Sequence, residues 1–156
     1  MTFTTERFSV DYPAGWETGE YIEWFFFQDL EAINTGYYDF RSVETHKYLG
    51  FFHAENYLSE LSENEKETLL KAYRDEGVVL SKDDNSFVRE RDLTISGQKA
   101  YKYMFTTESH WGDNNTSIIV SYFQNDLYFI ILEAKASGYE EVKPIFDYML
   151  NSMEFR

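Results

Sequence analysis

Histidine and glutamate residues, which are residue types that bind divalent metals, lie close together between residues 44 and 55. His46 and His53 are seven positions apart, and Glu44 and Glu55 flank them. Imidazole nitrogen together with carboxylate oxygen suits zinc or manganese. The segment therefore predicts a weak divalent metal site with His46 and His53 as candidate ligands.

A second pair of candidate metal ligands lies in a polar loop later in the chain. His110 and Asp113 share the stretch SHWGDNN at residues 109–115. No H-E-x-x-H or EF-hand spacing supports a metal at either place. Because three histidines occur in a chain with 28 acidic residues, chance proximity of imidazole and carboxylate is the alternative interpretation. No motif predicts a cofactor.

The sequence contains little that would support covalent catalysis. It has no cysteine, which excludes thiolate nucleophiles and cysteine-ligated metals. Ser109 and His110 are adjacent, whereas a catalytic serine and its base are normally brought together by the fold. Nothing selects two of the many carboxylates as a glycosidase pair. We therefore predict no catalytic residue and do not expect an enzyme.

The chain is strongly acidic, with 28 Asp and Glu residues, 14 Lys and Arg residues and a formal net charge of −14. This charge repels phosphate groups, so nucleic acids and anionic membranes are unfavourable partners. Basic proteins and cations remain, and solubility alone is the simpler explanation. We expect a protein partner, and a basic one if charge determines binding.

Two tryptophans lie at predicted turns and could bind a partner or pack into the core. Trp16 follows a turn that contains Pro13 and Gly15, and we expect it to be a packing anchor. Trp111 lies in the polar loop at residues 109–115. It either folds back over the sheet or provides an exposed indole for protein binding.

Alternating apolar and polar residues predict that most of the chain is β-strand. Phe8, Val10 and Tyr12 fall on one face of the first strand. Leu127 to Ala136 is apolar on both faces, which is typical of a central strand. Two-residue turns are predicted at Ser96-Gly97 and Asn125-Asp126. The other predicted strands cover residues 21–28, 36–43, 86–95, 99–107 and 116–124.

Two regions have helical patterns. The first helical pattern begins near Ala54 and ends at Gly77, as one bent helix or two consecutive ones. Within it, Ser62 and Glu65 have the spacing of a capping box. Pro144 suits the closing helix only if that helix begins just before it. The helix-spaced apolar residues at the end of the chain are Val142, Ile145, Phe146, Met149, Leu150 and Met153. Antiparallel strands with inserted and appended helices predict an α+β layer fold.

The length of 156 residues fits one domain, expected to span residues 1–156, since no repeat or linker divides the chain. No apolar run reaches the ~18 residues of a membrane span. Glu6, Arg7 and Asp11 interrupt any apolar leader at the start. We therefore expect a cytoplasmic location, or an exported or cell-surface one if a leader was removed.

Three stretches resemble the PsbP-like family, a superfamily that includes PsbP, Mog-type Ran-binding and DcrB-like proteins. FSVDYPAGW at residues 8–16 resembles the F-x-[IV]-x-Y-P-x-x-W opening of that family. ISGQKAYKYMF and the later NDLYFIILEAKA are similar to its consecutive antiparallel strands. YEEVKPIFDYMLNSMEF resembles its closing helix and tail, with Met153 where the family has Phe.

The resemblance implies a central antiparallel sheet between helical layers, and a protein that binds or assembles others rather than an enzyme. Relatives of this type include a photosystem II subunit, a nuclear transport regulator and bacterial lipoproteins, so fold does not select one function. We expect a non-catalytic binding or assembly-factor domain. A small-ligand or divalent-metal binding protein is the alternative.

Replacing Trp111 by alanine tests the binding interpretation of that residue. If its indole is an interface residue, Trp111→Ala loses partner binding and keeps its melting temperature. Thermal unfolding and partner capture measure the two effects separately. A large fall in melting temperature would instead identify Trp111 as part of the core.

Overall fold

The computed structural model describes residues 1–21, 35–42, 47–76, 88–107 and 112–156. These residues form ten strands and two α-helices. The strands are β1 Thr2–Thr4, β2 Phe8–Asp11, β3 Glu17–Tyr21, β4 Thr35–Ser42, β5 Lys47–Ala54, β6 Val88–Ile95, β7 Gln98–Thr107, β8 Asn114–Phe123, β9 Asp126–Lys135 and β10 Glu154–Phe155. The helices are α1 Glu63–Glu76 and α2 Tyr139–Ser152, and a 3-10 turn, Ala136–Gly138, leads into α2.

Seven of the described strands form one antiparallel sheet in the order β3-β4-β5-β9-β8-β7-β6. Strand β9 lies at its centre and pairs with β5 on one side and β8 on the other. The chain builds one meander from β3 to β5 and a second from β6 to β9, and the β5–β9 pairing joins them. A smaller sheet has the order β1-β2-β10.

Each face of the large sheet carries its own hydrophobic cluster because neighbouring residues of a strand point to opposite faces. Ile119 of β8 and Ile130 of β9 belong to the cluster under α2 and the small sheet. Ile118 and Phe129 belong to the cluster on the α1 side. The sheet therefore lies between two covering layers, which confirms the predicted α+β class with a central antiparallel sheet between helices.

Helix α1 begins where the capping box predicts. The Ser62 hydroxyl accepts from the Glu65 N–H at 3.4 Å, and the Glu65 carboxylate accepts from the Ser62 N–H at 2.8 Å. Buried Lys66 donates to the Gln124 carbonyl at 2.8 Å and to the Asn125 side chain at 3.0 Å, which fixes the helix over the β8–β9 turn. Ala54 ends β5 and residues 55–60 form turns, so the prediction of helix from Ala54 is wrong.

Helix α2 confirms the apolar spacing but not the predicted start. Val142, Phe146 and Met149 are buried. The helix begins at Tyr139, so Pro144 lies inside it rather than in its first turn. Pro144 has no N–H to donate to the carbonyl four residues earlier in the helix. Because Pro144 is exposed, that carbonyl lies on the solvent side. Neither described helix combines the length and apolarity needed to cross a membrane.

Two further predictions differ from the structure. Strand β5 was not predicted, although it lies next to the central strand. Asn125-Asp126 is not the hairpin turn: Phe123 pairs with Asp126, so the turn residues are Gln124 and Asn125. Gln124 takes the left-handed conformation with φ 55°, which frees Asp126 to enter the strand. Residues 22–28 of the strand predicted at 21–28 lie outside the described residues.

Trp16 packs into the molecule, as its position after the turn predicts. The Trp16 N–H donates to the Pro13 carbonyl at 3.3 Å, and Gly15 has φ 87°, the conformation that a type II turn requires. The half-buried indole meets the ring of Phe146 edge-on at 6.5 Å. Trp16 therefore attaches the β2–β3 connection to helix α2.

Truncating this indole tests its packing role. Trp16→Ala removes aromatic contact with the cluster under α2, and we expect the free energy of unfolding to fall by about 2 kcal/mol. Chemical denaturation measures the loss. Tyr148→Ala on the exposed face of α2 is the control, expected to change stability by less than about 0.5 kcal/mol. Equal effects of both substitutions would contradict the packing role.

Candidate functional site

The residues predicted to bind metal or partner do not come together in the described part of the chain. His46, His110 and Trp111 lie outside the described residues. His53 is buried in β5 opposite Tyr128, whereas Asp113 is exposed just before Asn114, which pairs with Lys135. Tyr128 and Lys135 are seven residues apart along β9, roughly 23 Å at the rise of a strand. His53 and Asp113 therefore cannot share a site, and no three described His, Asp or Glu side chains converge as metal ligands.

A charged cluster that the sequence did not predict joins the small sheet to the large one. Arg7 lies in the β1–β2 turn, where the Thr5 hydroxyl accepts from the N–H groups of Arg7 and Phe8 at 3.1 Å each. Its guanidinium donates to Asp126 Oδ2 at 2.7 Å and to the Glu55 carboxylate. These three side chains form the Arg7 cluster, which connects residues 119 positions apart.

The carboxylate of Asp126 is the most buried member of the Arg7 cluster. Its side chain is 6% exposed, against 32% for Arg7. Its other oxygen, Oδ1, accepts from the Asn56 N–H at 2.9 Å. A buried carboxylate is tolerable only when such partners satisfy it, so Asp126 depends on Arg7.

The pKa shifts around the Arg7 cluster follow from burial and from these charges. Partial burial alone would lower the pKa of Arg7, but the carboxylates of Asp126 and Glu55 outweigh it and raise that pKa. Burial, followed by the charge of Asp126, raises the pKa of Tyr128 well above its ordinary value. Tyr128 therefore keeps its proton and donates to Asp126 Oδ2 at 3.4 Å.

A surface depression of about 540 Å³ lies beside the Arg7 cluster. Its lining residues are Phe3, Thr4, Thr5, Glu6, Arg7, His53 and Glu55. Because Arg7 already holds two carboxylates, the depression is poorly suited to anions. The carboxylates and hydroxyls in its wall suit a neutral polar or cationic molecule.

The exposed charge of the described residues is predominantly acidic. The exposed acidic residues are Glu6, Glu17, Glu60, Glu63, Glu65, Asp92, Asp113, Glu140, Glu141 and Glu154, and the exposed basic ones are Lys71, Lys99 and Arg156. Two of these bases are already paired, since Lys99 and Lys71 lie 3.0 and 3.9 Å from Glu67. The hydrogen bond from Lys99 and its charge lower the pKa of the Glu67 carboxyl. The surface therefore presents unbalanced negative charge.

No protein-family model and no curated protein matches the chain, but solved structures do. The envelope-biogenesis protein LpqN of Mycobacterium tuberculosis is 8% identical, with TM-score 0.57 over 95% of this chain and 82% of its own. Cyanobacterial PsbP (CyanoP) from Synechocystis is 16% identical, with TM-score 0.54 over 100% of this chain and 92% of its own. A protein from Bacteroides thetaiotaomicron is 12% identical, with TM-score 0.56 over 96% of this chain.

These comparisons establish the fold. The chain has the antiparallel sheet and helical layers of the PsbP-like fold. It spans 45% of the length of the Bacteroides protein. At such identities a shared fold carries no function with it.

The raised pKa of Tyr128 predicts a loss of stability at alkaline pH. Above about pH 10 the unfolded chain ionises this phenol while the folded chain keeps it protonated, so stability falls as pH rises. Relative to Tyr128→Phe, the wild type should lose about 1 kcal/mol of unfolding free energy between about pH 10 and 11. Denaturant titrations at the two pH values measure this, and a pH-independent difference would contradict it.

Proposed function

We propose that this chain is a non-catalytic binding or assembly domain of the PsbP-like type that binds a basic protein partner through its acidic surface. The observation that carries the proposal is the excess of exposed acidic over basic side chains among the described residues. A surface of one sign attracts a partner of the opposite sign and accelerates encounter with it.

The interior supports a binding role rather than a catalytic one. The partly buried Arg7 cluster pairs its guanidinium with two carboxylates and its buried carboxylate with a backbone N–H. Groups paired in this way hold the two sheets together and stabilise the fold. The negative charge on the surface remains available to a partner.

The structural neighbours support the part of the proposal that concerns assembly. LpqN is described as involved in cell envelope biogenesis, and CyanoP is a cyanobacterial PsbP. Membership of the PsbP-like family is part of the proposal, since the likeness rests on fold and on the short stretches that open and close the chain.

A small-molecule binding protein is the second candidate, favoured by the depression beside the Arg7 cluster. Its wall combines hydroxyls, carboxylates and the buried imidazole of His53 in a space of about 540 Å³. Thermal-shift screening of amines and neutral polar compounds distinguishes the candidates. A saturable shift lost in Glu6→Gln would favour this one.

The test of the basic-partner proposal is affinity capture with a charge-neutralised variant. The variant carries Gln in place of Glu17, Glu60, Glu140 and Glu141, which are exposed in three separate parts of the surface. We expect the wild type to retain basic proteins from a lysate of its source cell. Retention should fall about tenfold when ionic strength rises from about 0.05 to 0.5 M, because exposed charges are then screened.

The matched control replaces the same four residues by Asp, which preserves charge while shortening each side chain. We expect the Asp variant to retain the same proteins as the wild type and the Gln variant to lose most of them. The proposal fails if both variants behave alike, or if the retained proteins are no more basic than the proteins that flow through.

A further inference from the structure

The depression beside the Arg7 cluster lies between the two sheets, with the β1–β2 turn on one side and the end of β5 on the other. Phe51 belongs to the hydrophobic cluster under the small sheet, and His53, two residues later, lies on the same face of β5. Phe3 packs against that cluster from β1, and its ring centre lies 6.0 Å from that of Phe8. The depression is therefore a gap between two layers of the fold.

The wall of this depression contains hydrogen-bond acceptors that the described residues do not use. Glu55 accepts from Arg7 through Oε1, which leaves its second oxygen, Oε2, available. Neither the Glu6 carboxylate nor the Thr4 hydroxyl takes part in a hydrogen bond or ion pair with another described residue. The Glu55 side chain is 32% exposed, whereas Glu6 is exposed, so Glu55 lies at the inner end of the depression and Glu6 at its rim.

The charge around the depression is negative, although Arg7 lies in its wall. The guanidinium is shared by the carboxylates of Asp126 and Glu55, and Glu6 adds a further negative charge. One positive side chain therefore meets three negative ones. A cleft with an excess of one sign of charge attracts ligands of the opposite sign. The depression favours a cationic group for this reason.

The acceptors fit an ammonium group better than a guanidinium. A guanidinium binds best when both oxygens of one carboxylate receive its planar fork, whereas an ammonium is a point charge with three donors that can rotate. Glu55 offers one oxygen only, because Arg7 holds the other. The ring of Phe3 provides an apolar surface for the methylene stem that carries an ammonium.

The exposed rim indicates that the ammonium belongs to a larger molecule. A site for a free small molecule usually buries most of its ligand. Thr4 and Glu6 are exposed, so they can contact a polypeptide that passes over the depression. A lysine side chain can reach inward from such a polypeptide while its backbone stays outside.

We propose that the depression beside the Arg7 cluster receives a lysine side chain of the basic partner protein. The ammonium donates to Glu55 Oε2 and is attracted by Glu6 at the rim, while the methylene stem lies against Phe3. Arg7 keeps Glu55 in position because it holds the other oxygen of that carboxylate and is itself fixed by Asp126. This inference rests on the proposed function, to which it adds one specific contact with the partner.

The probe is a short synthetic peptide, capped at both ends, with one central lysine flanked by threonines. Titration into ¹⁵N-labelled protein should shift the amides of Glu6, Arg7 and Glu55 in a saturable way. The same peptide with ε-N-acetyl-lysine, which keeps the stem and loses the charge, should cause no saturable shift. The arginine peptide should bind about threefold more weakly, because the fork of its guanidinium is not matched at Glu55. n-Butylamine, which has the ammonium and stem without the polypeptide, should also bind about threefold more weakly.

Substitutions in the wall separate this site from the general acidity of the surface. Glu55→Gln should weaken the lysine peptide about tenfold, because a hydrogen bond to a charged group is lost. Glu6→Gln at the rim should weaken it about twofold. Glu141→Gln, an equal change of charge at the start of α2, is the matched control and should leave the affinity unchanged. Glu141 follows the far end of β9, whose first and last residues, Asp126 and Lys135, are roughly 30 Å apart.

The outcomes distinguish this inference from the wider proposal. Saturable shifts that require the lysine charge and weaken in Glu55→Gln support it. It is overturned if the lysine and acetyl-lysine peptides bind equally, if no saturable shift occurs at these amides, or if Glu55→Gln and Glu141→Gln have equal effects. The capture experiment then decides the acidic-surface proposal separately. If n-butylamine binds as tightly as the lysine peptide, the depression is a site for a free amine and the partner contact is overturned.

Thermal unfolding shows whether each variant is folded. The peptide comparisons use the unchanged protein, so they decide the inference even if Glu55→Gln does not fold. If the lysine peptide binds in the depression but the capture experiment retains no basic protein, the lysine site is supported and the proposed function is contradicted.

Discussion

Burial of strand β9 on both faces is the constraint on which the rest of the structure depends. Phe129 and Ile131 point to the α1 side, and Ile130 and Leu132 point to the α2 side. Each buried side chain of this size contributes about 1.5–3 kcal/mol when it leaves water. Neither face can remain exposed, so both must be covered. The helices and the small sheet cover the two faces. The three-layer arrangement therefore follows from a central strand, β9, that is apolar on both faces.

The Arg7 cluster shows how the small sheet is kept in its place over that strand. Asp126 begins β9 and is buried at the point where the small sheet crosses the large one. Arg7 approaches from the β1–β2 turn and satisfies its charge, which makes the ion pair a specific connection between the two sheets. The buried carboxylate of Asp126 is thus paired, whereas the exposed charge of the described residues is mostly negative. This division supports a domain that acts through its surface.

The elements with an unbroken period could be predicted from the sequence, and the others could not. Alternation in β8, the continuous apolar run of β9 and the spacing of Val142, Phe146 and Met149 were sufficient to predict the central strands and the closing helix. Strand β5 was missed because Gly50 interrupts its apolar pattern and His53 adds a buried polar residue. The β8–β9 turn was misplaced by one residue because Asp126 is a common turn residue, and its burial is evident only once Arg7 is found beside it.

The candidate site was the least predictable feature because its residues meet only through contacts between distant parts of the sequence. Arg7 and Asp126 are 119 positions apart, and no local pattern records such a contact. Composition did predict the acidic surface, because charge that cannot be buried must lie outside.

Amide hydrogen exchange, measured with and without a saturating basic partner, is the most direct test of the account. It shows whether binding changes only the surface and leaves β9, buried on both faces, unaffected. The predicted result is that amides of Ile130 and Ile131 exchange slowest of all and do not change on binding, while protection increases only in outer elements. Faster exchange in β9 than in β1 or β6, or a partner-induced change at Ile130, would contradict it.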